Sequence, residues 1–253
     1  MNIESLKIHA WDERRDLLVP GDEATTIDVC ARHFISSYRK AIESHGNFCV
    51  ALSGGSTPKK VYQALTSLPY SEQIDWNKVW LFWSDERSVP PTDSESNYMM
   101  AMEAGFSNMP IPKQQIHRMQ AEDNIEENAL KYDELLRTTL KNIFFDLVIL
   151  GMGEDGHTAS LFPQTEGLKA ASQLAIANYV PQKNTWRMTL TFDAINRSQN
   201  IVIYVIGASK KQTLVEVFQK DQFDRYPVQQ VGTKENRALW IIDEEAASDL
   251  FKS

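Results

Sequence analysis

The stretch Phe145-Asp-Leu-Val-Ile-Leu-Gly-Met-Gly-Glu-Asp-Gly-His-Thr-Ala-Ser-Leu-Phe-Pro163 decides how the chain is read. It opens as an apolar, β-branched run with no polar face, the pattern of a strand buried on both sides. It then breaks at Gly151, Gly153 and Gly156, and the break carries Glu154, Asp155 and His157. A buried strand that ends in glycines and delivers an acid and an imidazole to its tip is how an open α/β sheet builds a site. Gly151-Met-Gly-Glu-Asp-Gly156 also matches the G-x-G-x-x-G dinucleotide pattern. Three features oppose that reading. Pro163 comes too soon for a full helix. No acidic residue ends a second strand, because the candidate strand Gln173 to Val180 runs into Pro181-Gln182. The motif also lies past the middle of the chain, not in an opening βαβ unit. The plainer alternative is a glycine-rich turn with a solvated acid and histidine. The coincidence of strand, glycines and acid–imidazole pair favours a site.

Outward from this stretch, strands and helices alternate. Ile8 to Trp11 reads as a short edge strand before the charged turn Asp12 to Asp16. Ile27, Cys30, Ala31, Phe34, Ile35, Tyr38 and Ile42 recur at helical spacing, with Gly46 as a stop. Phe48 to Ser53 is a buried strand. Thr57 caps and Pro58 opens the helix that carries Val61, Tyr62, Leu65 and Leu68. Val79 to Trp83 is a second strand, and Ile116 to Met119 a short one. Helices are predicted from Tyr98, over Ile125 to Leu140 and over Lys210 to Gln219. Trp186 to Phe192 alternates as a half-exposed strand, Asn200 to Ile206 is a buried strand, and Ala238 to Ile242 is the last. The expected fold is a single α/β domain over residues 1–253: a doubly wound, mostly parallel, Rossmann-like sheet with helices on both faces.

Composition bounds the function. A net charge of -8 argues against a general nucleic-acid binder, which needs a basic surface, yet leaves room for a local basic pocket that takes a small anion. The start of the chain lacks the basic-then-apolar layout of a secretion signal, and no apolar run approaches membrane-spanning length. Two cysteines, Cys30 and Cys49, give neither a disulfide framework nor metal-type spacing. The expectation is a cytoplasmic protein without membrane or nucleic-acid partners.

In a parallel sheet the carboxyl ends of the strands line one edge, where ligands bind. Four strand ends matter here. Ser53-Gly-Gly-Ser-Thr-Pro58 joins close backbone approach at Gly54 and Gly55, hydroxyls at Ser56 and Thr57, and a helix N-terminus, which together make an anion cradle. A simple capped helix start explains Thr57 and Pro58 but not the paired glycines. The Gly-Lys-Ser/Thr ending of an ATPase phosphate loop is absent. Asp85-Glu86-Arg87 ends the second strand. The third end carries Asp155 and His157. Lys210, at the fourth, sits near a helix start, against the dipole unless an anion compensates; as a solvated lysine it needs no explanation, and the two readings balance. Arg187 is a further cation suited to phosphate. No cysteine nucleophile, no Gly-x-Ser-x-Gly elbow and no metal-ligand spacing appears. The chemistry left is general acid–base work on a small phosphorylated or carboxylated substrate.

With these motifs in place the chain resembles the glucosamine-6-phosphate isomerase/6-phosphogluconolactonase family. The resemblance rests on Ser53 to Pro58, on Trp83-Ser-Asp-Glu-Arg-Ser-Val-Pro90 with Asp93-Ser-Glu-Ser-Asn97, and on Gly151 to Pro163, in the family's order over nearly the whole chain. The run Asp155-Gly-His-Thr-Ala-Ser-Leu-Phe-Pro163 is the lactonase form. The isomerase/deaminases carry a glutamate that assists ring opening where Phe162 stands here, and a phenyl ring exchanges no proton. Tyr226-Pro-Val-Gln-Gln230 departs from the lactonase pattern, a departure that touches local substrate contacts.

The resemblance implies hydrolysis of 6-phospho-D-glucono-1,5-lactone to 6-phosphogluconate in the oxidative pentose phosphate pathway, with no metal or organic cofactor. The expected mechanism has His157 as general base on water, since an imidazole ordinarily titrates near about 6.5. Arg87 or backbone N–H groups stabilise the oxyanion. Asp155 and Asp85 orient the imidazole or the sugar hydroxyls, undivided between them. Gly54, Gly55, Ser56, Thr57, Arg187 and Lys210 hold the phosphate. The expected partner is the small sugar-phosphate lactone, and the expected state a monomer or weak homodimer. Two rivals remain: a glucosamine-6-phosphate isomerase/deaminase, opposed by Phe162, and a non-catalytic sugar-phosphate sensor, which has no need of a base.

Overall fold

The computed structural model describes residues 6–140 and 144–251. Residues 1–5, part of the stretch read for a secretion signal, lie outside the described residues. Along the chain come β1 (His9–Ala10), β2 (Arg15–Leu18), α1 (Glu23–His45), β3 (Phe48–Leu52), α2 (Ser56–Leu65), β4 (Val79–Trp83), β5 (Asp85–Arg87), α3 (Asn97–Glu103) and α4 (Ile125–Leu140). They continue with β6 (Leu147–Leu150), β7 (Ala175–Val180), β8 (Thr185–Leu190), α5 (Phe192–Asn196), β9 (Ile201–Val205), α6 (Lys211–Gln219), β10 (Ala238–Ile242) and α7 (Glu244–Ala247).

Among the described residues seven strands form the central sheet in the order β1-β2-β10-β9-β6-β3-β4. Every pairing is parallel except β1 with β2. The four residues of β6 and the five of β9 are buried throughout, as their unbroken apolar runs require in a sheet covered on both faces. Side-chain alternation assigns the faces. Phe34 and Tyr38 of α1 meet Phe48 edge-on at 5.2 and 5.8 Å, while Phe218 of α6 meets Trp240 at 4.9 Å. The register puts Phe48 and Trp240 on opposite faces, so helices cover both. α1 starts on Asp22, whose side chain accepts from the Thr25 N–H, and stops at Gly46 in the left-handed region.

Several readings change. Arg15 and Asp16, read as part of a turn, open β2, and α2 ends at Leu65, leaving Leu68 outside it and exposed. Thr57 is not the cap of α2: the helix begins at Ser56 with Gly55 as N-cap, and no side chain caps it. Ile116 to Met119 makes no strand; Ile116 forms a single bridge to Leu81 at the β4 edge. The structure also adds a second layer, a three-stranded antiparallel sheet in the order β5-β8-β7. Asp85–Arg87 is therefore a strand, not a loop tip, and Arg87 lies directly across from Arg187. Because β7 belongs to this antiparallel sheet, the Gly151 motif opens no βαβ unit.

Candidate active site

β3 sits between β4 and β6, and the chain turns to opposite sides of β3 to reach them, so a crevice opens at their carboxyl ends. The second sheet walls it. The result is a cleft of about 470 Å³. Gly54, Gly55, Ser56, Thr57, Arg187 and Lys210 all line it, as do His157, Asp85 and Arg87. Asp155 stands behind the lining and reaches the site through His157.

The Gly153-to-His157 turn is tight. The Gly153 N–H donates to His157 O at 2.9 Å, and Gly156 N–H returns to Gly153 O at 3.0 Å. A Cβ at Gly153 would fall 2.1 Å from the imidazole, and Gly156 has φ +75° with Tyr226 against its Cα. Glycine is needed at both for these reasons. The segment Tyr226 to Gln230 backs the turn from outside the cleft: Val228 N–H donates to Gly156 O at 3.0 Å. The departure noted there bears on the turn and not on a cleft wall.

His157 is half-buried, and its Nδ1 lies 2.5 Å from Asp155 Oδ1. A carboxylate only accepts, so Nδ1 carries the proton and Nε2 is left as the acceptor nitrogen. Burial pushes the Asp155 carboxyl up, but the hydrogen bond and charge of His157 outweigh it and hold the group below the ordinary value. Phe162 stacks on the imidazole at 3.9 Å and 16°. Ring orientation is thus fixed from the edge by Asp155 and from the face by Phe162.

The cation wall comes from the second sheet. Arg87 and Arg187 face each other across β5 and β8. The Nε of each is buried and has no hydrogen-bond partner among the described residues. Burial first, then the Arg87 charge, lowers the pKa of Arg187. Arg87 spends one terminal N–H on Glu95 O, and the unspent donors of the two neighbouring guanidiniums are chemically suited to an anion. α2 also presents its N-terminus to this cleft, with no acidic residue in the first turn, so its dipole is uncompensated.

Four residues were not singled out in the sequence. Ser160 donates to Asp85 Oδ2 at 2.7 Å, which aims a buried carboxylate. Asn97 donates to Asp85 O at 2.9 Å and packs on Gly54, where a Cβ would fall 1.9 Å from its Oδ1. Lys183, in the β7–β8 turn, and Glu95 also line the cleft. Lys183 left no signal, because only the hairpin brings it over the cleft; Ser160 lay inside the decisive stretch itself. Among the described residues no group of three or more His, Cys, Asp or Glu is placed to hold a metal ion, and no helix is long and apolar enough to cross a membrane.

Comparison with known proteins follows the same lines. A family model described as glucosamine-6-phosphate isomerases/6-phosphogluconolactonase matches residues 21–240. A 6-phosphogluconolactonase of Chlamydia pneumoniae is 39% identical over 93% of this chain and 91% of its own length. The crystal structure of a 6-phosphogluconolactonase from Thermotoga maritima is 30% identical, with a TM-score of 0.77, covering 91% of this chain and 99% of that one. A monomeric glucosamine-6-phosphate deaminase, 17% identical over 92% of this chain and 98% of its own, superposes with a TM-score of 0.78 and shares the fold. The fold alone therefore does not choose between the two activities.

Proposed function

The chain belongs to the family of glucosamine-6-phosphate isomerases and 6-phosphogluconolactonases, and we propose that it hydrolyses 6-phospho-D-glucono-1,5-lactone to 6-phosphogluconate in the oxidative pentose phosphate pathway. The curated relatives support the lactonase branch. The observation that carries it within the site is the Asp155–His157–Phe162 arrangement, a fixed base whose stacking partner is a phenyl ring and not a carboxylate.

In this reading His157 Nε2 takes a proton from water, and the oxygen attacks the lactone carbonyl. Arg87 or cleft backbone N–H groups stabilise the tetrahedral oxyanion. The intermediate collapses by breaking the bond to the ring oxygen, which takes the proton back from His157 and becomes the 5-hydroxyl. Product is the open-chain acid, and neither electrons nor a second reactant are needed. The geometry supports dividing the two acids: Asp155 orients the imidazole, and Asp85, held by Ser160, meets the sugar hydroxyls. The α2 cradle of Gly54, Gly55, Ser56 and Thr57 holds the phosphate together with Arg187 and Lys210. No step calls for a metal or organic cofactor. We place the protein in the cytoplasm as a monomer or weak homodimer whose partner is this small lactone, with no nucleic-acid or membrane partner.

The test is a paired assay of purified protein. Lactone loss, corrected for spontaneous hydrolysis, is expected with 6-phosphogluconolactone, and no ammonia is expected from glucosamine 6-phosphate. Ammonia release would transfer the chain to the isomerase/deaminase branch. Binding of the lactone without turnover would support the sensor.

A further inference from the structure

Glu86 follows Asp85 but faces away from the cleft, which it does not line. Its side chain is 3% exposed, and its two oxygens take four hydrogen bonds. Oε1 accepts from the N–H of Arg87 at 2.8 Å and of Asn97 at 2.7 Å. Oε2 accepts from the Tyr98 N–H at 2.9 Å and from Ser96 Oγ at 3.0 Å. A buried carboxylate is costly unless its lone pairs are met, and here each oxygen is met twice.

Asn97 packs its amide on Gly54, the first glycine of the anion cradle, and donates to Asp85 O. Arg87 is held on its other side by the loop that Glu86 closes: its guanidinium donates to Glu95 O at 2.5 Å. One carboxylate thus fixes the starting residues of α3, the cradle contact made by Asn97, and the backbone of the Arg87 strand. We propose that Glu86 is a positioning residue that locks the anion cradle and the arginine wall into one rigid unit. The proposal deepens the lactonase reading and rests on it for its kinetic part only. Burial pushes the Glu86 carboxyl above the ordinary value despite the four bonds, so the clamp sits in a dry environment where a lost partner is felt.

Glu86→Gln keeps the shape but turns an amide N–H₂ toward two donors. Three variants, Glu86→Gln, Asn97→Ala and the pair, are compared with the parent by thermal melt, by lactonase kinetics and by direct binding of inorganic phosphate. Expected is a folded Glu86→Gln protein whose kcat/KM falls on the order of 10- to 100-fold, the scale of a small misplacement at a reacting site. Phosphate binding weakens in parallel, and the double variant is no worse than the poorer single one, because both changes break the same link. A folded Glu86→Gln protein with unchanged kcat/KM and unchanged phosphate binding overturns the proposal. So does a double variant whose losses multiply. If Glu86→Gln does not fold, Ser96→Ala, which removes one of the four bonds together with the α3 cap on the Met99 N–H, carries the test beside Ser96→Asn, which can keep the cap: a several-fold loss in both readouts is expected of each, and parental values for either overturn it. A parent protein that binds phosphate but hydrolyses no lactone sinks the activity reading alone, and the phosphate arm still decides on Glu86.

Discussion

Two histidines of this chain have opposite fates, and the difference is set by what surrounds each ring. His157 stands at the cleft with one nitrogen tied to Asp155 and one face under Phe162, so a single nitrogen is left for chemistry. His33 lies inside α1, buried, with its Nδ1 unpartnered among the described residues. Burial, helped by the Lys40 charge, lowers its pKa to about 4. The folded state then binds fewer protons than the unfolded chain between about pH 6.5 and 4. Stability from this residue is complete above the unfolded value and is lost as pH falls through that window, by up to about 3 kcal/mol. Urea unfolding of the parent and of His33→Leu across the window measures it: the variant should show the shallower decline, and parallel curves would remove His33 as a cause. His157 was legible in the sequence because glycines and a strand announced it. The buried setting of His33 was not, since a lone histidine on a helix carries no mark of its neighbours.

At the scale of elements, the cradle shows what a strand-to-helix joint does. β3 ends at Leu52, Gly55 takes φ +104° as the N-cap, and α2 offers its first N–H groups to the cleft. Gly54 is required for a different reason, the approach of Asn97. Gly54→Ala should push Asn97 from its place, raising KM for the phosphorylated lactone about 10-fold or more, the scale of a misplaced anchor, with a smaller effect on the unphosphorylated lactone. Equal KM changes for both would separate the cradle from the phosphate. The paired glycines were readable as more than a helix start, and both line the cleft. The cap was misread as Thr57 because a threonine before proline is a common helix start, whereas here Gly55 already supplies the turn. The antiparallel sheet escaped for a related reason. β5 has three residues and its partner β8 lies about a hundred residues on, so pairing is a tertiary event that no local pattern encodes.

At the scale of the whole molecule, the parallel sheet gathers strand ends to one edge and the small second sheet closes that edge with two arginines. The central sheet was legible because strands buried on both faces read as unbroken apolar runs, as in Leu147–Leu150 and Ile201–Val205. The cleft's completion was legible only in part: Asn97 and Ser160 stand inside the quoted motifs but gain a role only when the fold gives them neighbours, and Lys183 lies outside every motif. The molecule's -8 charge and its cationic cleft are compatible because cations are concentrated where the sheets meet. The proposed reaction of this cleft is hydrolysis of a phosphorylated lactone with His157 as the base. The most direct measurement is the hydrolysis rate of 6-phosphogluconolactone by parent and His157→Ala protein, each corrected for the spontaneous reaction. A loss of about 10²- to 10⁴-fold in kcat with the fold intact is predicted; a His157→Ala protein that turns over the lactone at the parental rate would contradict the account.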